Sequence, residues 1–302
     1  MSGLPCRLVA GLALAGIVLG PVSAAAQDSR AESDDIVVTG QAATTPTRAE
    51  VSRQARSITP PGDIRATPLA RFEDRLCPGI SGLKADYAGL MVARIRDHAE
   101  GLGMWMAEDG NCSPNFVIAF VDDGQAAIAE LERSQGHLFD TLTLPERREL
   151  LAETGPARVW TSTATRTRDG MPIARRESLT DPPVTQMAMA HSKIYLSTRE
   201  DITSVLVVFD RRQVAGRTLD QLADYATMRG LARTRPIAGE GTAMDTILSL
   251  FDESAPPPAG LTDFDRAYLA SLYDWIPNLP AAARVLGVNR QLRLAAQREG
   301  GD

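Results

Sequence analysis

The chain has 302 residues, a formal net charge of −6 at pH 7, 5% aromatic residues and three cysteines. With acidic and basic residues interspersed, no basic block and few rings to stack bases, the expectation is that it takes no nucleic-acid partner. The acidity fits a soluble exported protein.

Residues 1–26 read as a secretory signal peptide. Arg7 supplies the positive charge, Leu8 to Leu19 the apolar stretch, and Ala24, Ala25 and Ala26 the small-residue site before Gln27. The stretch is well short of the roughly 20 residues that a spanning helix needs. Gly20 and Pro21 interrupt it, which argues against the alternative of an uncleaved anchor. Cys6 lies ahead of the stretch, where a lipid-modified cysteine is not expected. No other segment approaches spanning length, so the mature protein is expected in the periplasm or secreted, with no integral membrane span. Two cysteines then remain, Cys77 and Cys112. In an oxidising compartment they are expected to pair, closing a loop of about 35 positions and stabilising by about 3–4 kcal/mol; two buried free thiols are the alternative.

From Gln27 to Pro68 the sequence is Ala, Thr, Ser, Pro and charge. TTPTRAEVSRQ and ITPPGDIRATP offer almost nothing to bury, so residues 27–68 are expected to be a flexible tether. Ile36, Val37 and Val38 are its one compact β-prone cluster. They belong to DDIVVTGQ, Asp34 to Gln41, which resembles the TonB-box region of TonB-dependent outer-membrane receptors. That resemblance implies a displayed peptide that pairs with a sheet edge of a TonB-like protein. The alternative is a lineage habit of exported proteins with no dedicated partner. A receptor itself is excluded by length, since a plugged barrel runs to about 22 strands.

Residues 69–297 are expected to form a single domain and residues 298–302 a frayed tail. RFEDRLCPGI reads as a strand or strand-and-turn ending at Pro78 and Gly79. A helix follows over LKADYAGLMVARIRDHAEGLG, with Leu83, Tyr87, Leu90, Met91, Ile95 and Leu102 at helical spacing. NFVIAFVDD is a strand, GQAAIAELERS a helix and LPERRELLAETG a short helix with Pro145 near its start. ARVWTSTATR, KIYLST and TSVLVVFD complete a set of about five strands. Thr218 and Gln221 form a capping box for a helix ending near Gly230, and Thr262 caps a second that runs toward Pro277. A last helix covers AAARVLGVNRQLRLAAQREGGD. The fold class is therefore α+β: a mixed sheet of about five strands with helices and a mostly helical C-terminal part.

LADYATMRGL, Leu222 to Leu231, resembles the H-E-x-x-H-x-x-G-L helix of zincin metallopeptidases with its ligands replaced. Aligned on the glycine, the first histidine falls on Ala223, the glutamate on Asp224, the second histidine on Thr227, the glycine on Gly230 and a third ligand on Arg233. Histidines at i and i+4 share one helix face and hold zinc, while the glutamate activates its water. Ala223 has no donor atom, Thr227 is a poor ligand and Arg233 repels a cation, so no zinc site is expected. SLFD at Ser249 to Asp252 and LTDFDRAYLASLYD at Leu261 to Asp274 resemble the tail of a bacterial exported family of unknown function that is zincin-like in layout. The resemblance covers about a fifth of the chain and implies a metal-less zincin-like layout; whether Ala223 and Thr227 face a cleft beneath a sheet edge is for the structure to show, and a face packed solid there takes the site from a binding cleft. An ordinary capped helix whose core face holds Leu219, Leu222, Ala226 and Leu231 is the alternative.

Other chemistry is thin. His98, His137 and His191 have no second His or Cys at ligand spacing, and Glu100 lies on a different helix face from His98. Ser192 beside His191 lacks the glycines of a nucleophile elbow. Asp263 and Asp265 sit at a helix start, where the macrodipole accounts for them. No metal or cofactor is expected. The expected function is an exported, non-enzymatic protein whose degenerate zincin-like domain binds a peptide or protein partner, with KIYLST or TSVLVVFD offering a sheet edge. One alternative is a hydrolase or peptidase working around Asp224; another is a TonB-interacting periplasmic accessory protein.

Overall fold

Alternation in FVIAFV makes β2 (Phe116–Val121), which buries Phe116, Ile118 and Phe120 on one face and half-buries Val117, Ala119 and Val121 on the other. Around it, a computed structural model of the chain describes residues 45–300, apart from 141, 174–179, 181–191, 193, 238–241, 255 and 275. The other strands are β1 (Pro78–Ser81), β3 (Ala157–Thr167) and β4 (Thr198–Asp210). The sheet is mixed, in the order β1-β2-β4-β3. β1, β2 and β4 run parallel, and β3 lies antiparallel to β4 at one edge.

Helices cover both faces, unequally. On one face α3 (Gly124–Ser134), α4 (Leu144–Ala152) and a 3-10 turn at Gly136–Phe139 enclose a small core in which Phe139 stacks on Trp160 at 4.7 Å. The larger core on the other face takes Val51 of α1 (Arg48–Ile58), Met91 of α2 (Ala85–Gly101), Leu222 of α5 (Leu219–Ala232), Phe264 of α6 (Asp263–Tyr273) and Val285 of α7 (Ala281–Glu299). Together these elements make an α+β fold. Among the described residues no helix is long and apolar enough to cross a membrane.

Three expectations need correction. The sheet has four strands among the described residues, because KIYLST adds none of its own and TSVLVVFD is the second half of a single 13-residue β4. The polar start of β4 extends the pairing with β3, helped by Thr165 Oγ1 donating to Glu200 Oε1 at 2.6 Å. The strand expected to end at Pro78 begins there. Lastly, the tether does not reach Pro68: Thr47 and Glu50 close a capping box on α1, which buries Val51, Gln54, Ala55 and Ile58 along one face. Gln54 is buried because Met244 meets its amide from both sides, Nε2 donating to Met244 O and Met244 N–H to Oε1, each at 2.8 Å. The signal peptide and the Ile36–Val38 cluster lie outside the described residues.

Candidate functional site

Helix α5 starts at the expected capping box, with Thr218 Oγ1 accepting from Gln221 N–H at 3.1 Å and Gln221 Oε1 from Thr218 N–H at 3.0 Å. It runs two residues past Gly230 and stops at Arg233, whose φ of 49° places it in the left-handed region. Ala223 and Thr227 do share one helix face, but both are 0% exposed. Thr227 donates its hydroxyl to Ala223 O at 2.8 Å, one turn back. This face is packed core, so a binding cleft at Ala223 and Thr227 loses its site and side chains at those positions have no route to a ligand.

Gly230 is explained by packing. A Cβ there would lie 2.7 Å from Phe116 Cζ and 3.0 Å from Val205 Cγ1, so α5 approaches the sheet only because this residue has no side chain. Gly230→Ala gains helix propensity worth up to about 1 kcal/mol but overpacks the fully buried Phe116 ring, which costs about 1–3 kcal/mol. Net destabilisation of up to about 2 kcal/mol is expected from urea unfolding; a stabilised variant would show that the ring yields freely.

Asp224 points to the other side of α5, at α2. It is 0% exposed. Arg94 grips it with both ends of the guanidinium fork, Nε to Oδ1 at 2.6 Å and Nη2 to Oδ2 at 2.7 Å. His98 Nε2 lies 2.7 Å from Oδ1, and Leu261 N–H donates to Oδ2 at 2.7 Å. Arg94 and His98 are four apart on α2, as Asp220 and Asp224 are on α5, and Asp220 stands 3.5 Å from Arg94 Nη1. Gly260 lets the loop before α6 approach: a Cβ there would sit 2.5 Å from Asp224 Oδ2. Burial alone would raise the Asp224 carboxyl; hydrogen bonds from His98, Arg94 and Leu261 outweigh it and hold the group at about 2. A carboxylate with all four acceptor positions taken and so low a basicity has nothing left with which to take a proton from a substrate. Arg94, the chief partner, was missed in the sequence; its spacing of four from His98 was the available signal.

The remaining candidates are separate. His137 lies in the 3-10 turn, Glu100 is exposed on α2, and His191 lies outside the described residues. Ser192 Oγ accepts from Ile194 and Tyr195 N–H groups, a local turn. Asp265 is the N3 partner of Thr262 in a capping box, and Asp263 sits in the same first turn. Cys77 and Cys112 are joined in a disulfide. Among the described residues no three His, Cys, Asp or Glu side chains converge as a metal site.

A recessed site lies instead at the sheet edge. TSVLVVFD cannot offer that edge, because β4 is paired on both sides. The edge strand is β3. Pro156 O accepts from Asp210 N–H at 3.0 Å, which fixes the phase of the ladder: Arg158 and Trp160 pair with β4, and Ala157, Val159 and Thr161 turn their N–H and C=O groups outward. Among the described residues no backbone group pairs with that side of β3 between Ala157 and Thr161. The edge forms the floor of a groove of about 430 Å³. One wall carries Glu149 and Glu153, on and just after α4; the other carries Arg229 of α5 and, beyond it, Arg233 and Arg235. Arg233 is neutralised by Glu146 of α4 at 2.6 Å, a side-chain bridge from one wall to the other that an added strand has to displace or pass beside. Compared with protein families, curated proteins and solved structures, the chain matches none.

Proposed function

We propose that this is an exported, non-enzymatic protein whose folded domain, a metal-less zincin-like scaffold, binds an extended segment of a protein partner along the free edge of β3. The observation that carries this reading is the outward row of N–H and C=O groups at Ala157, Val159 and Thr161, unpaired among the described residues and lying in a groove instead of on a flat rim. Strand addition gains affinity from such main-chain groups and specificity from the walls beside them. Catalysis is disfavoured because Asp224 spends both oxygens on Arg94, His98 and Leu261. Ala223 has no donor atom, and Arg233 is committed to Glu146.

The test is selection of a phage-displayed peptide library on the purified full chain, with Val159→Pro as the counter-selection. Proline at residue 159 removes one outward N–H and leaves the β4 ladder intact, a placement that edge strands tolerate. Selected peptides are expected to bind the wild type and to lose at least tenfold in affinity on Val159→Pro. Undiminished binding would remove β3 from the reading. Peptide cleavage by the wild type that disappears in Asp224→Asn would overturn the non-enzymatic part.

A further inference from the structure

The groove's hydrogen-bonding capacity is one-sided. Three of its lining residues hold a buried side-chain nitrogen with no acceptor: Trp160 Nε1, Arg229 Nε and Arg158 Nη1, the last turned away from the groove against Gly124 of α3. Arg158 and Trp160 are 2% and 7% exposed. All three atoms are donors, and no groove-lining acceptor is left unmet in the same way. A buried donor without a partner costs stability comparable to a lost hydrogen bond, so a site that concentrates them fits an acceptor-rich ligand.

Charge points the same way on one wall. Arg229 is held in place by Tyr225, its Nη1 donating to the phenol at 2.7 Å and its guanidinium lying 5.6 Å over the ring. Neither Arg229 nor the exposed Arg235 has a carboxylate within ion-pair distance among the described residues, whereas Arg233 is spent on Glu146. Arg235 is anchored by its backbone, N–H donating to Ile58 O at 2.8 Å. The opposite wall is acidic, through Glu149 and Glu153.

A strand added to β3 sends alternate side chains to opposite faces of the sheet. Ala157 and Val159 face the core that contains α5, and Trp160 faces the core that contains α4. Side chains i and i+2 of an added strand therefore lie on the face that carries Arg229 and Arg235, and residue i+1 on the face of α4, which carries Glu149 and ends at Glu153. We propose that the groove's partner is an extended peptide with acidic side chains at alternate positions and no acid between them. This rests on the strand-addition reading above, and its test separates the two.

Fluorescein-labelled heptapeptides TTEQETT, TTQQQTT and TTEEETT are titrated with the full chain and followed by anisotropy, to millimolar protein. TTEQETT is expected to bind at least tenfold more tightly than either of the others, the middle glutamate of TTEEETT being repelled by Glu149 and Glu153. The double variant Arg229→Gln/Arg235→Gln is expected to bring TTEQETT down to the level at which wild type binds TTQQQTT, and an unchanged near-UV circular dichroism spectrum and urea midpoint show that its fold is intact. Equal binding of TTEQETT and TTQQQTT to the wild type, with both lost on Val159→Pro, overturns the acidic preference and leaves strand addition standing. Binding of TTEQETT that needs the arginines but survives Val159→Pro keeps the acidic preference and removes β3. No binding of any peptide overturns both.

Discussion

Asp224→Ala is expected to lower the unfolding free energy by about 3–5 kcal/mol, the range found when one partner of a buried ion pair is removed. The lower end is favoured because Arg94 and His98 keep 32% and 22% of their side-chain surface exposed, so water partly solvates them once the carboxylate is gone. The Leu261 N–H loses its acceptor as well, deep in the loop that Gly260 brings close. For a domain of this size, 3 kcal/mol corresponds to a fall of about 6–12 °C in Tm. Asn is no rescue: whichever oxygen its NH2 replaces, that donor faces an N–H of Arg94, Nε on one side or Nη2 on the other. The sign with pH follows from the depressed carboxyl, 3.8 lowered to about 2. The contribution of ionised Asp224, about 2 kcal/mol, is fully present above the ordinary value and is lost as pH falls through about 2. Burial raises Asp201 and Asp265 instead, though Arg199 pairs with the one and Thr246 bonds the other, so their contributions run the opposite way. The difference between wild-type and Asp224→Asn unfolding free energies, measured by urea from pH 7 down to 2.5, isolates the Asp224 part. That difference should shrink toward acid. A variant as stable as the wild type at pH 7 would mean that the Arg94–Asp224 pair is not holding α2 to α5.

What the sequence made legible was local. Thr218–Gln221 is a capping box written within four residues and Thr262 an N-cap, and both helices start where these residues place them; Asp265, read as a macrodipole carboxylate, closes a second box with Thr262. FVIAFV announces a two-faced strand because its period is carried by neighbouring residues. The illegible parts depend on partners far along the chain. Gln54 makes α1 look like solvated tether until Met244, 190 positions away, supplies its backbone. Gly230 reads as a motif glycine, yet what it accommodates is the ring of Phe116. Arg94 with His98, and Asp220 with Asp224, are each visible as i, i+4 pairs; that the two pairs face one another is decided by how α2 and α5 pack. The same holds for the groove. The sheet order β1-β2-β4-β3 departs from chain order, so nothing in ARVWTSTATR says that it is an edge and nothing in TSVLVVFD says that it is not. The ligand positions of the zincin-like motif lie in packed core, and the two groove arginines without a carboxylate among the described residues are Arg229, inside the motif, and Arg235, past the end of α5.

Reducing the Cys77–Cys112 disulfide, or replacing both residues with alanine, is expected to lower the unfolding free energy by about 3–4 kcal/mol, the loop-closure value for the 35 positions between them. The effect should fall mainly on the unfolded chain. Cys77 stands directly before β1 and Cys112 in the loop before β2, their Cα atoms 6.2 Å apart. Asn115 ties the same two segments without the sulfurs: its Oδ1 accepts from Cys77 N–H at 2.8 Å, and its own N–H donates to Cys77 O at 3.0 Å. The native pairing of β1 with β2 therefore outlasts the bridge, and near-UV circular dichroism at 25 °C should be unchanged while the urea midpoint drops. The urea m-value should rise, since an unbridged chain exposes more surface on unfolding. An unchanged midpoint would place the stabilisation in Asn115 and the β1–β2 ladder alone. A loss of this size is a large share of the roughly 5–15 kcal/mol by which domains are held folded, so the domain keeps its full stability only where thiols are oxidised. That dependence is consistent with the exported location proposed above.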